Sequence, residues 1–350
     1  MQVLREVAAR GSFSAATQAL WMTQPAVSRQ VAALEREAGV ASLERESRSV
    51  RATEAGRIVL EHADSIAGHL APLRRHDLPV TPIEQRFPRP SVMGVVNATP
   101  DSFSDGGVNL RPEDAVAAAR RMYAEGAAIV DVGGESTRPG SAGVSLDEEL
   151  RRVVPVLERL DGEVPVSIDT AKAEVARRAV ALGAEFVNDV TALRGDPALA
   201  SVVADSGAYL CLMHMRGEPR TMQTRPTYAD VASEVAAFLD ERLRFAVDQG
   251  IPQERICLDP GIGFGKTMQH NFELIARLDV LVSLGRPVLV GFSRKSSLGR
   301  LLGDPDATTG PLSASLAAAV AAYERGATIL RVHDVREHVE ALKVAAAVTA

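Results

Sequence analysis

From residue 91 onward the chain alternates eight times between a short apolar run and a longer stretch of helical periodicity, and few folds accept that pattern. The apolar runs are 92–96, 128–132, 164–168, 186–187, 209–213, 255–258, 288–290 and 328–331. Helical patterns lie between them at 112–125, 146–160, 173–182, 198–205, 228–249, 271–283 and 312–325, and a closing helix starts at Val335. Eight strand–helix units predict an α/β fold of the (β/α)8 TIM-barrel type. A doubly wound open sheet is the alternative, but no Gly-x-Gly-x-x-Gly fingerprint follows the first strand. A chain with 46% hydrophobic and only 4% aromatic residues also suits close helix–sheet packing.

In a barrel the C-terminal strand ends meet at one mouth, where ligands bind. Polar groups end these runs: Asn97, Asp131, Asp169-Thr170, Asn188-Asp189, Met213-His214, Asp259, then Ser293-Arg294-Lys295-Ser296 and Arg331-Val332-His333-Asp334. Stability alone gives no return for crowding carboxylates and cations into one half-dry place. The sixth end, Asp259-Pro260-Gly261-Ile262-Gly263-Phe264-Gly265-Lys266-Thr267, sets three glycines at alternate positions behind a carboxylate. A tight βα turn with a capping Asp is the lesser alternative for that nonapeptide alone. The other seven ends favour a site.

The chemistry can be read by sign. Arg331, His333 and Lys295 supply positive charge, and Asn97 with Asp101 offers hard oxygens to a cation such as Mg²⁺. Together they suit a diphosphate. Asp169, Asn188 and Asp259 suit a flat heterocycle whose edge presents N–H donors. Phe264, Pro139 and Met213 offer apolar faces to rings. Ser296 starts a helix and can meet a carboxylate with its hydroxyl and free backbone N–H groups. The long Gly-rich loops at 98–107, carrying Phe103, and 135–140 suit lids that exclude water.

The segments 97–107, 133–140, 259–267, Ser167-Ile168-Asp169-Thr170, Asn188-Asp189-Val190, Met213-His214-Met215-Arg216-Gly217, Gly291-Phe292-Ser293-Arg294-Lys295-Ser296 and Arg331-Val332-His333-Asp334 resemble the dihydropteroate synthase family, in order, over residues 92–350. The resemblance implies a transferase of folate synthesis that joins 6-hydroxymethyl-7,8-dihydropterin diphosphate to p-aminobenzoate and releases diphosphate. It assigns the pterin to Asp169, Asn188, Met213, Asp259 and Lys295. Diphosphate with Mg²⁺ falls to Asn97, which is also the metal ligand, and to Arg331 and His333. Phe103, Thr137, Arg138, Pro139, Phe264, Lys295 and Ser296 then form the p-aminobenzoate pocket, where sulfonamides compete. Asp169, Asp259, Lys295, Arg331 and His333 carry the catalysis.

The first 77 residues differ in kind. Helices are expected over 1–9, 15–20 and from Pro25 to Gly39, with Ser12 or Ser14 and Thr23 as N-caps. The third helix exposes Gln24, Ser28, Arg29 and Gln30, the groups a recognition helix brings to base edges and phosphates. Arg45, Arg48 and Arg51 then alternate as in a small wing. Gly11-Ser12-Phe13-Ser14-Ala15-Ala16, Thr23-Gln24-Pro25-Ala26-Val27-Ser28-Arg29-Gln30-Val31 and Arg51-Ala52-Thr53-Glu54-Ala55-Gly56 resemble the winged helix-turn-helix domain of LysR-type regulators over residues 1–75. A dimerising linker helix over 55–73 would follow. Ten basic against nine acidic side chains in 1–77, a net of +1, is thin for phosphate attraction. DNA binding and a fused remnant are equal readings here.

Residues 78–90 hold four prolines in thirteen positions and read as a stiff linker between the helix-turn-helix region, 1–77, and the barrel, 91–350. The formal charge of −6 opposes a protein built wholly to coat nucleic acid. Cys211 and Cys257 sit in apolar runs and read as buried free thiols. No membrane-spanning run or secretory pattern is present. A cytoplasmic homodimeric enzyme is the first reading, and a transcriptional regulator whose barrel senses pterin or folate metabolites is the second.

Overall fold

The computed structural model describes residues 2–20, 23–45, 49–60, 62, 80–98, 111–136, 141, 143–218 and 220–349. They divide into two compact units, 1–79 and 80–350.

In the first unit α1 (Gln2–Arg10), α2 (Phe13–Leu20) and α3 (Gln24–Ala38) precede the antiparallel pair β1 (Leu43–Arg45) and β2 (Val50–Ala52). Val3, Val7, Ala16, Leu20, Val27, Val31 and Val50 form its core. The Ser12 hydroxyl accepts from Ala15 N at 3.3 Å and so caps α2. Thr23 holds the N-cap position of α3 without a side-chain bond. Glu35 accepts from Ser42 N and Leu43 N, tying α3 to the wing. A helix α4 runs over 54–60 and packs so tightly there that a Cβ on Gly56 would overlap the Ser42 carbonyl. His62 is also helical, and residues 63–73 of the expected linker helix lie outside the described residues.

The second unit is a closed barrel of eight parallel strands: β3 (Ser91–Asn97), β4 (Ile129–Gly133), β5 (Val166–Asp169), β6 (Phe186–Asp189), β7 (Tyr209–Met213), β8 (Ile256–Asp259), β9 (Val288–Val290) and β10 (Ala327–Val332), which pairs back onto β3. Around them lie α6 (Pro112–Ala124), α7 (Leu146–Leu160), α8 (Ala173–Ala181), α9 (Leu199–Ser206), α10 (Val231–Asp248), α11 (Met268–Ala276), α12 (Asp279–Val282), α13 (Ser296–Leu301), α14 (Leu312–Glu324) and α15 (Val335–Thr349). The helix expected over 271–283 is thus two. The chain leaves helical geometry at Arg277, whose guanidinium is drawn to the Asp230 carboxylate capping α10.

Alternation along each strand sorts the side chains. Val130, Val132, Ile168, Val187, Leu210, Leu212, Leu258 and Val290 point outward and pack with the helices. Met93, Ile129, Phe186, Tyr209, Cys211, Cys257, Leu289 and Ile329 fill the lower barrel interior. Both cysteines are buried and free, as expected.

The proline-rich segment corrects the sequence reading. It is no free linker: α5 (Ile83–Arg86) and Phe87 belong to the barrel. Ile83 and Phe87 are fully buried in the lower interior cluster. Phe87 meets the rings of Phe186 and Tyr209 edge-on at 5.7 and 5.6 Å, and Tyr209 donates to the Thr81 carbonyl. Apolar closure of an otherwise open barrel end outweighs the turn signals of four prolines. Two fully buried large side chains contribute about 3–6 kcal/mol. A chain starting at Val80 is therefore expected to melt like the full-length barrel, whereas one starting at Ser91 should lose on the order of 10 °C in Tm. Calorimetry of both chains checks this, and equal melting would exclude the plug.

Candidate active site

Above that apolar floor the inward positions turn polar. Asp169 of β5, Asn188 of β6, Met213 of β7, Asp259 of β8, Phe264 and Lys295 of the following loops, and Arg331 of β10 line one pocket with Val190, Ile262 and Gly291. The cleft they line is small and opens to solvent. Seven residues expected at a common mouth are therefore together.

The pocket floor is a buried charge network. Arg331 Nε donates to Asp131 Oδ2 at 2.7 Å and Arg331 Nη2 to Asp169 Oδ2 at 2.9 Å. Asp131 is completely buried and also receives Ser167 Oγ at 2.5 Å and Asn188 Nδ2 at 2.9 Å. The Asn188 Oδ1 atom is buried without a partner. Burial holds the Asp169 carboxyl well above the usual range, against the pull of Arg331. Burial likewise pushes Asp259 up to about 6, opposed by the Gly261 N–H and by Lys295. Asp131 is the residue whose importance sequence reasoning missed; its signal was a lone carboxylate at an inward position of the run Ile-Val-Asp-Val.

The β8 loop forms one wall. Gly261, Gly263 and Gly265 all have φ between 65° and 83°, a region that suits glycine. A Cβ on Gly261 would overlap the His214 carbonyl, and one on Gly265 the Arg216 carbonyl. Lys266 holds the two loops together from behind, with Nζ 2.8 Å from His214 Nδ1 and donating to Phe264 O at 3.0 Å. Burial lowers Lys266 to about 7 and His214 to about 2, so neither is an ordinary cation. Asp259 Oδ1 accepts from Gly261 N at 2.7 Å, which fixes the carboxylate against the loop.

At the rim, Lys295 Nζ lies 4.4 Å from the centre of the Phe264 ring. His333 contacts Ser293 Oγ at 3.2 Å through Nδ1. Burial and the neighbouring Arg331 depress His333 to about 3, so it is a neutral imidazole and not the positive charge expected from sequence. Arg331 keeps its charge, which is already engaged with Asp131 and Asp169. Asn97 sits half-buried at the end of β3, and Ser296 is the first residue of α13, also half-buried. Asp189 turns away and braces its own loop by accepting from Thr191 and Leu193. Beside the floor, buried Glu149 accepts from Thr170 Oγ1 at 2.6 Å and from Lys172, which also pairs with Glu135. Asp101, Phe103, Thr137, Arg138 and Pro139 lie outside the described residues. In the first unit, Gln24, Arg29 and Gln30 are exposed on α3 and Ser28 is half-buried.

A closed parallel barrel with buried acceptors and a flanking lysine at its mouth defines a ligand-binding α/β-barrel enzyme, and residues 93–333 match the pterin binding enzyme family. The chain belongs to the dihydropteroate synthases, and is a transferase. It is 49% identical to the dihydropteroate synthase of Escherichia coli over 260 residues, covering 73% of this chain and 90% of that one. Among solved structures, the Yersinia pestis dihydropteroate synthase in a sulfonamide complex superposes with a TM-score of 0.70 at 44% identity, over 75% of this chain and 94% of that chain. The Xanthomonas albilineans enzyme with 4-aminobenzoic acid gives 0.68 at 49% identity over 75% and 94%, and with 7,8-dihydropteroate 0.66 at 48% over 75% and 95%. Residues 1–57 match the lysR family of bacterial regulatory helix-turn-helix proteins.

The raised Asp259 pKa makes a stability statement. In the folded barrel its ionised form is disfavoured, so its contribution is most favourable at low pH and is lost as pH rises through about 6. Asp259→Asn is expected to stabilise the ligand-free protein by about 1–3 kcal/mol at pH 8. The gain should vanish near pH 4. Denaturant melts at both pH values test this; destabilisation at pH 8 would contradict it.

Proposed function

We propose that the barrel condenses 6-hydroxymethyl-7,8-dihydropterin diphosphate with p-aminobenzoate. The observation that carries the reading is the cluster of buried acceptors, Asp169, Asn188 Oδ1 and Asp259, within one pocket beside Lys295 and Phe264. A donor-bearing heterocycle satisfies those acceptors, and its N–H bonds favour the ionised carboxylates against the burial that raises both. Met213 and Phe264 cover its faces. Ser296 and Lys295 suit the p-aminobenzoate carboxylate, with Phe103, Thr137, Arg138 and Pro139 completing that pocket.

Cleavage of the bond between the pterin methylene carbon and the diphosphate oxygen sends the electron pair to the leaving group and leaves positive charge on the ring. Asp169 and Asp259 stabilise that charge. Arg331 and the neutral His333, as an N–H donor, orient the diphosphate. The arylamine nitrogen then forms the new bond to the methylene carbon and releases a proton to solvent. Asn97 would hold Mg²⁺ through its amide oxygen. The described residues form no group of three or more His, Cys, Asp or Glu side chains suited to a metal, and Mg²⁺ beside phosphates takes one or two protein oxygens. When bound, the ion neutralises charge on the leaving diphosphate.

Lys295→Ala and Asp259→Ala are each expected to lower kcat/KM by at least 10²-fold, read by diphosphate release, with Mg²⁺, both substrates and the full chain present. Near-normal turnover in either would defeat the assignment. Because a donor-bearing ring needs ionised Asp259, kcat/KM should fall about tenfold per pH unit below about 6.

We further propose that α3 binds DNA, supported by the lysR-family match and by exposed Gln24, Arg29 and Gln30 beside Ser28. A mobility shift of duplex DNA by the full chain, lost in Arg29→Ala, is the expected result; absence of any shift at 50 mM salt would leave a remnant.

A further inference from the structure

We propose that Asp131 is a positioning residue that fixes the Asn188 amide with its oxygen toward the cavity, so that the pocket selects a ring presenting an N–H donor at that edge. The inference rests on the pterin reading above and adds the residue that enforces its donor pattern.

An asparagine side chain is nearly symmetric in shape, and an unconstrained amide flips to suit either a donor or an acceptor. Here it cannot. Asn188 Nδ2 is held 2.9 Å from Asp131 Oδ2, and the flipped amide would set its oxygen against that carboxylate. Asp131 itself has no freedom, because it is completely buried and also receives Ser167 Oγ at 2.5 Å and Arg331 Nε at 2.7 Å. Oδ1 is consequently a buried acceptor with no partner in the protein, in a residue that lines the pocket. A ring N–H relieves that unsatisfied oxygen. A bare ring nitrogen would oppose it, lone pair to lone pair, and a site whose buried polar groups are left unpaired discriminates strongly. Arg331 transmits the same order to Asp169 through its second nitrogen at 2.9 Å.

The test compares full-length wild type with Asp131→Asn by titration calorimetry, using 6-hydroxymethyl-7,8-dihydropterin and its fully oxidised counterpart, which carries a bare nitrogen where the reduced ring has N–H. Wild type is expected to prefer the reduced ring by at least tenfold. In Asp131→Asn the amide is free to turn, and that preference should shrink at least fivefold while KM for p-aminobenzoate stays within twofold. Equal weakening of both ligands, or an unchanged preference in the folded variant, would overturn the role of Asp131. If wild type binds neither ring, the pterin reading itself falls. A second measurement needs no variant: side-chain amide protons of Asn188 in ligand-free wild type should exchange slowly by NMR, and fast exchange would refute their hold on Asp131.

Discussion

A guanidinium clamped between two buried carboxylates is what the upper half of this barrel is arranged around. Arg331 reaches across from β10 to Asp131 of β4 and Asp169 of β5. Only closure of the sheet, with β10 pairing to β3, brings those strands within reach. Removing one partner from such a buried set leaves an uncompensated charge, at a cost of roughly 3–5 kcal/mol. The arrangement therefore ties ligand recognition to barrel integrity. Below it the interior is aromatic and aliphatic; above it the same inward positions carry acceptors.

Much of this was legible because a parallel barrel writes its strands as apolar runs and its mouth as their polar ends. The runs at 209–213 and 288–290 coincide with β7 and β9, and Asp169, Asn188, Asp259, Lys295 and Arg331 meet as their strand positions implied. What stayed hidden depends on side-chain direction. Asp131 and Asp189 look alike as strand-end carboxylates, yet one anchors the pocket floor and the other braces a turn. Residues 83–87 read as linker because the prolines on either side of them outweigh two apolar positions locally, while burial of Ile83 and Phe87 is a tertiary fact. Charge state was equally invisible. His333 reads from the sequence as a source of positive charge, and its environment holds it neutral.

The ligand-free pocket sits in electrostatic tension. Asp259 and Asp169 are desolvated acceptors and Asn188 Oδ1 is unsatisfied. Each of these lowers the stability of the ligand-free protein, and each is relieved or exploited by a ring rich in N–H groups. Sites of this kind commonly give up stability for function. The rest of the barrel, with its large outer helix–sheet core, supplies the margin.

The glycine wall carries a further consequence. Gly261 and Gly265 press against main-chain carbonyls of the neighbouring loop, so the obstacle to any side chain there is backbone and not another replaceable side chain. No single neighbouring substitution makes room. Sequence change therefore finds this flank of the pocket closed. Altered ligand preference has to arise on the other flanks, where contacts are made by side chains that can be exchanged one at a time.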